Sequence, residues 1–149
     1  MFSTTAEYAL RALTCLAQHH PHPLTTALLA EQTQSPPGYL SKVLQQLGRA
    51  GLLAASRGKH GGWEMARQPN DITIFEILAV VDPIRRIQHC PLRLPMHQHQ
   101  LCPLHRKMDD ALAQIEQTFR ATTLGDLLNS PGAPVPLCNS LSDCAEAIR

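Results

Sequence analysis

Sulfur and imidazole crowd one stretch of the sequence. Cys90 and Cys102 have eleven residues between them, Met96 stands midway, and His89, His97, His99 and His105 lie in the same stretch or just beyond it. Thiolates are the ligands that iron–sulfur clusters take, and imidazole replaces some of them on one iron, as in Rieske centres. Cys102-Pro103 reads as the N-cap and first position of a helix, so a Cys102 thiolate would face the positive end of the helix dipole, with His105 three residues on. Such a set suits a labile [2Fe–2S] cluster. It also suits tetrahedral zinc, direct oxidation of the thiols, or no cofactor at all, with His89, His97 and His99 as plain solvent-facing loop residues.

The other cysteines ask for less. The chain has five, an odd number, and the segment Met1 to Leu16 carries Glu7 and Arg11 where a signal peptide would be apolar. A disulfide framework is therefore not expected, and a cytoplasmic location is. Cys15 falls on an apolar helix stripe and reads as core packing; Cys138 and Cys144 sit in the tail and read as incidental.

A second group of residues could hold a polyanion. Ser35, Gly38, Tyr39, Ser41 and Lys42 fall together at the start of one helix, where short donors and an aromatic hydroxyl reach phosphates and base edges. Arg57, Lys59, His60 and Gly61 form a basic, glycine-bearing hairpin tip whose backbone amides around Gly61 could also meet phosphate. Each feature alone is more often a solvated turn. On adjacent elements they add up to a nucleic-acid surface.

These residues need elements to position them. Ala6, Leu10, Leu13, Leu16 and Ala17 repeat at three and four and give a helix from about Thr4 to Gln18. His19-His20-Pro21-His22-Pro23 breaks it. Thr25 caps a second helix, and Ser35 with Pro36 caps a third that runs through Leu40, Val43, Leu44 and Leu47. The period then changes to two short strands, Leu52 to Ser56 and Trp63 to Ala66. Thr73 and Glu76 make a capping box for a fourth helix that ends at Asp82-Pro83. Ile84 to Leu101 has no period and reads as a loop. From Pro103 to Thr122 a longer helix, roughly 30 Å at 1.5 Å per residue, carries Leu104, Met108, Leu112, Ile115 and Phe119 as an a/d seam. With Leu101 just ahead of the helix, most of that seam would be open on one chain, which argues for a homodimer; the alternative is a helix that packs back on its own domain. Thr123 to Leu128 is a last short helix.

Composition and charge bound the rest. With 149 residues, 44% hydrophobic and only six aromatics, the chain has room for one domain, or a small domain with a helical arm, built on Leu, Ala, Ile and Val. No stretch is apolar enough for a membrane span. Residues 1–70 hold six Lys/Arg against three Asp/Glu, whereas residues 71–149 hold seven against nine. The first half is the one suited to an anionic partner.

Three helices followed by a two-stranded hairpin is the order of a winged helix-turn-helix, whose third helix enters the major groove while the wing follows the backbone. The run Glu7-Tyr8-Ala9-Leu10-Arg11-Ala12-Leu13, then Gly38-Tyr39-Leu40, Leu47-Gly48-Arg49-Ala50-Gly51-Leu52 and Arg57-Gly58 to Gly61-Gly62-Trp63 resembles the bacterial winged-helix repressors that include the iron–sulfur cluster regulator IscR, the nitric-oxide sensor NsrR and the cysteine-metabolism regulator CymR. The resemblance spans about residues 2 to 128. It implies that Tyr39 and Arg57 contact DNA. Lys59 and His60 stand where proline and glycine are common, and Ser41 where some relatives carry an acid, so the operator does not transfer. Members that hold a cluster use three cysteines spaced by five residues; here Met96 replaces the middle one. The resemblance further implies that His105 is a ligand and that Glu7 reaches the cluster from the partner subunit, completing a set of Cys90, Cys102, His105 and Glu7.

The expected protein is mainly α, with a winged helix-turn-helix domain over residues 1–83, a sensor loop over 84–102, a dimerisation helix and short terminal helix over 103–129, and a flexible tail over 130–149. Its expected function is that of a homodimeric transcription regulator, a repressor, binding a double-stranded DNA operator under control of the Cys90–Cys102 loop. The alternative is a metal-binding adaptor that uses the winged helix as a protein platform. An enzyme is not expected, because no loop combines a nucleophile, a base and an oxyanion donor.

Overall fold

The computed structural model describes residues 2–59, 61–91 and 100–134. The expectations placed on His60, Met96, His97, His99, Cys138 and Cys144 lie outside the described residues. Helix α1 spans Thr4–His19, α2 Thr26–Thr33 and α3 Pro37–Arg49; strands β1 (Leu53–Ser56) and β2 (Gly62–Met65) follow, then a 3-10 turn at Pro69–Asp71, α4 (Ile74–Val81), α5 (Pro103–Ala121) and α6 (Leu124–Leu128). Among the described residues the chain is mainly helical with one antiparallel pair of strands, and the element order is that of a winged helix-turn-helix.

Local caps explain most boundaries. Ser3 accepts from the Ala6 amide to start α1, and Thr25 accepts from Leu28 to start α2. Thr73 and Glu76 form the reciprocal capping box expected for α4. The start of α3 departs from expectation. Pro37 holds the residue before it extended, so Pro36, at φ −61° and ψ 123°, becomes the cap position and the helix begins one residue later. Ser35 is therefore not the N-cap. Its side chain is buried, its hydroxyl accepts from Thr33 Oγ1 at 2.9 Å, and its amide donates to the Ala30 carbonyl.

The wing is stitched to the helices by its second strand. β1 and β2 pair from Leu53 with Met65 to Ser56 with Gly62. On its other edge β2 meets Leu24: the two amides of Leu24 and Trp63 donate to each other's carbonyls at 2.9 and 2.8 Å. Gly62 permits that approach, because a Cβ there would stand 2.4 Å from the Leu24 carbonyl oxygen. Trp63 then lies over Gly48 of α3 and donates its indole N–H to Thr26 Oγ1 at 3.2 Å. The hairpin is thereby fixed relative to α2 and α3.

One apolar core collects Leu13 and Leu16 of α1, Leu29 of α2, Leu40, Leu44 and Leu47 of α3, Ile72, and Ile77 and Leu78 of α4. Leu124 of α6 joins it, fully buried. The return is held by backbone bonds, from Ile74 to the Thr122 carbonyl at 2.9 Å and from Leu124 to the Ile72 carbonyl at 3.0 Å. The seam on α5 divides. Leu104 and Met108 are 65% and 49% exposed, while Leu112 and Ile115 line a cleft with Phe2, Pro83 and Ile84. Phe119 meets Phe2 at 5.7 Å between ring centres, and Arg120 sits 3.5 Å over the Phe75 ring. The half of the helix nearer its N-terminus is thus the open half. Among the described residues no helix is long and apolar enough to cross a membrane.

Candidate nucleic-acid interface and sulfur site

The first turns of α3 present Gly38, Tyr39 and Lys42 to solvent, with Ser41 half-buried beside them. Tyr39 is not a free side chain. Its hydroxyl shares a hydrogen bond with Thr5 Oγ1 of α1, and its ring stands edge to face with Tyr8 at 5.8 Å and 72°. Thr5 and Tyr8 were not singled out from sequence, although their spacing of three puts them on one helix face. Arg11 lies 6.0 Å from the Tyr8 ring centre and pairs with Glu7 at 2.8 Å.

At the wing tip Arg57, Gly58 and Lys59 are exposed, and Gly58 takes a φ of 110° that favours glycine. Gly61 closes the turn: its amide, expected to be open to phosphate, donates to the Gly58 carbonyl at 3.0 Å, and a Cβ there would come 2.5 Å from the Ser56 carbonyl oxygen. Among the described residues Lys42, Arg57 and Lys59 form no ion pair, which leaves three exposed cations on two adjoining elements without an internal counter-charge.

Cys102 takes the N-cap position of α5 with Pro103 behind it, and its Sγ lies 3.3 Å from His105 Nδ1. Cys90 is buried. Glu7 does not join them within one chain: it is exposed on α1 and held by Arg11, one turn along the same helix. Among the described residues no three His, Cys, Asp or Glu side chains gather as a metal site. Of the expected ligand set, then, the single chain brings together Cys102 and His105. Cys15 behaves as expected of core packing, donating to Gln32 Oε1 at 2.8 Å while burial pushes its thiol up to about 11.

Comparison with known proteins decides the family. A family model described as "Rrf2: Iron-dependent Transcriptional regulator" matches residues 2–130. The chain belongs to the Rrf2 family. It is 30% identical over 132 residues to a protein of Aquifex aeolicus that carries the name of an HTH-type transcriptional regulator, covering 87% of this chain and 92% of that one. The solved structure of CymR, the global cysteine regulator of B. subtilis, superposes with a TM-score of 0.72 at 25% identity, covering 85% of this chain and 95% of that one. IscR of T. potens superposes with a TM-score of 0.71 at 26% identity, covering 86% and 85%. The relatives are transcription regulators and not enzymes, and this Rrf2 protein is a transcription regulator with a DNA-binding fold.

In this Rrf2 protein a further contact ties the segment leading to Cys90 onto α5. Arg86 grips Asp109 with two hydrogen bonds, Nε to Oδ1 at 2.7 Å and Nη2 to Oδ2 at 2.6 Å, and the Ile87 amide donates to Oδ1 at 2.8 Å. Asp109 is one turn beyond His105. The strap was not legible beforehand, since a loop arginine facing a helix carboxylate has no local signature. The Arg86 guanidinium holds the Asp109 carboxyl at about 2, well below its usual range. Because the folded value is depressed, the contribution of the strap is complete above the unfolded carboxyl range near pH 4 and is lost as pH falls through about 2. The protection factor of the Ile87 amide, its exchange rate taken relative to the intrinsic rate at each pH, is high at pH 5 and is expected to fall across that window in the native protein. In Asp109→Ala, which removes the acceptor, the protection factor is low throughout; unchanged Ile87 protection in that variant would contradict the strap.

Proposed function

We propose that this Rrf2 protein is a homodimeric repressor that binds a partly palindromic duplex through paired α3 and wing elements, with its affinity set by the state of the loop from Cys90 to His105. The observation that carries the DNA-binding half is that Lys42 and Tyr39 on α3 and Arg57 and Lys59 on the wing are exposed, the three cations without an ion pair among the described residues, on two elements tied together by the Trp63 and Leu24 anchors. Pairing rests on the open half of the α5 seam, where Leu104 and Met108 would be covered by a second copy.

The donor chemistry at the start of α5 fits a mixed thiolate and imidazole centre. Two such ligands on one tetrahedral ion stand roughly 3.5 Å apart, and Cys102 Sγ and His105 Nδ1 are 3.3 Å apart. The proposed holders of a [2Fe–2S] cluster are Cys90, Cys102 and His105, with Glu7 supplied by a second copy. A bound cluster would supply a centre whose charge and ligation change with redox state or iron supply. The chain's own part is mechanical. Cys102 and His105 occupy the first turn of α5, and the Arg86–Asp109 strap begins one turn later. A change at the first turn therefore acts on the helix that pairs the two chains, and so on the spacing of the two α3 helices across successive major grooves.

A useful switch needs the two states to differ by about 1 to 3 kcal/mol in operator affinity. Gel shifts on protein as isolated, protein reconstituted anaerobically with iron and sulfide, and Cys102→Ala are expected to differ by at least about fivefold between the first two, and Cys102→Ala to ignore reconstitution. Equal affinity in all three would refute the switch while leaving DNA binding intact. Brown protein with near-equal iron and sulfide supports the cluster; colourless protein carrying one zinc replaces it with a zinc site.

A further inference from the structure

We propose that Thr5 is a positioning residue for Tyr39, its hydroxyl orienting the tyrosine hydroxyl as a hydrogen-bond donor to a backbone phosphate of bound DNA. The inference rests on the reading of α3 as the DNA-facing helix and deepens it. Tyr39 is 43% exposed, yet its hydroxyl is bonded to Thr5 Oγ1 and its ring is set edge to face against Tyr8. Thr5 and Tyr8 both belong to α1, so α1 fixes both the plane and the tip of a side chain that projects from α3.

Hydrogen-bond polarity turns that contact into a role. A tyrosine hydroxyl has one proton to give and lone pairs to receive, whereas phosphate oxygens only receive. A Tyr39 that holds a phosphate must give it the phenolic proton, and its bond with Thr5 must then run from the threonine hydroxyl to the phenol oxygen. Receiving a hydrogen bond strengthens the phenol as a donor, since chained hydrogen bonds polarise one another. Thr5 can take this polarity because its hydroxyl proton rotates to suit. The start of α1 is itself well held: Ser3 caps it through Ala6, and the Ser3 amide donates to Asp82 Oδ2 at 2.7 Å. The anchor for Tyr39 is therefore a fastened helix end.

The test uses the full chain and a duplex that the wild-type protein recovers from a random-sequence pool. Dissociation constants, their salt dependence and unfolding midpoints are measured for Thr5→Val, Thr5→Ser, Tyr39→Phe and the Thr5→Val/Tyr39→Phe double variant. Loss of one neutral hydrogen bond corresponds to about threefold to tenfold weaker binding, expected for Thr5→Val, with Tyr39→Phe at least as weak. The double variant is expected to bind no worse than Tyr39→Phe alone, and Thr5→Ser, which keeps the hydroxyl, to bind like wild type. The salt slope should stay constant throughout, because neither hydroxyl displaces a counterion. A flattened slope in Thr5→Val would mean that α3 and its cations had shifted, and would overturn the proposal, as would additive losses in the double variant. Wild-type binding by Thr5→Val alongside weakened Tyr39→Phe overturns the role of Thr5 and leaves the DNA-facing reading standing. Wild-type binding by Tyr39→Phe removes the phosphate contact and both statements about it.

Discussion

Replacing Lys42 and Arg57 together by alanine is expected to weaken binding of the dimer to a duplex about ten-thousandfold at low salt, because two chains lose four charge-assisted phosphate contacts at a little under about 1.5 kcal/mol each. The log–log salt slope should flatten by about 3.6, since each of the four phosphates no longer neutralised contributes about 0.9. The two residues sit on different elements, Lys42 in the second turn of α3 and Arg57 in the wing tip just past β1, and both are exposed. Neither is spent on an internal ion pair among the described residues, so their loss subtracts an external contact without breaking an internal one. Unfolding midpoints should stay close to wild type. Anisotropy titrations at several salt concentrations give both quantities, and a slope unchanged in the double variant would show that these cations face away from the duplex.

The second large effect concerns the end of the chain that returns to the core. Leu124→Ala is expected to destabilise the fold by about 2 to 5 kcal/mol, the usual range for emptying a buried leucine site. Leu124 is fully buried on α6, which packs against α1 and the 3-10 turn at Pro69–Asp71, and the Ile72 and Thr122 carbonyls pin the turn before it. There is little slack for the cavity to close. Urea unfolding monitored by Trp63 fluorescence measures the loss. A change below about 1 kcal/mol, the scale of an ordinary surface substitution, would mean that α6 is an appendage rather than part of the core that supports α1 beneath Tyr39.

What was legible beforehand was local. Thr25, Thr73 with Glu76, and Cys102 with Pro103 mark their helices because capping is decided within four residues, and the change from helical to alternating period after Gly51 marks the wing. Ser35 shows where a local rule met a stronger one: a second proline moved the cap by a residue and turned an expected phosphate donor inward. At Gly61 the hairpin's own closure engages a backbone that reads, in the sequence, as open to a phosphate. The contacts that were missed join residues far apart in the chain, Leu24 with Trp63, Thr5 with Tyr39 and Arg86 with Asp109, and no periodicity encodes them. The sulfur site is divided in the same way. Cys102 and His105 meet because three residues on a helix bring them together, whereas Glu7 on α1 is paired with Arg11 and would need a second copy to meet them.

Sedimentation of the protein with a labelled duplex across a salt series bears most directly on the whole account. Two chains should travel with each duplex, and affinity should fall with a log–log slope of about −5, as expected when some six phosphates are neutralised. A single chain per duplex, or affinity indifferent to salt, would contradict a paired winged helix gripping DNA and would favour a protein-binding platform instead.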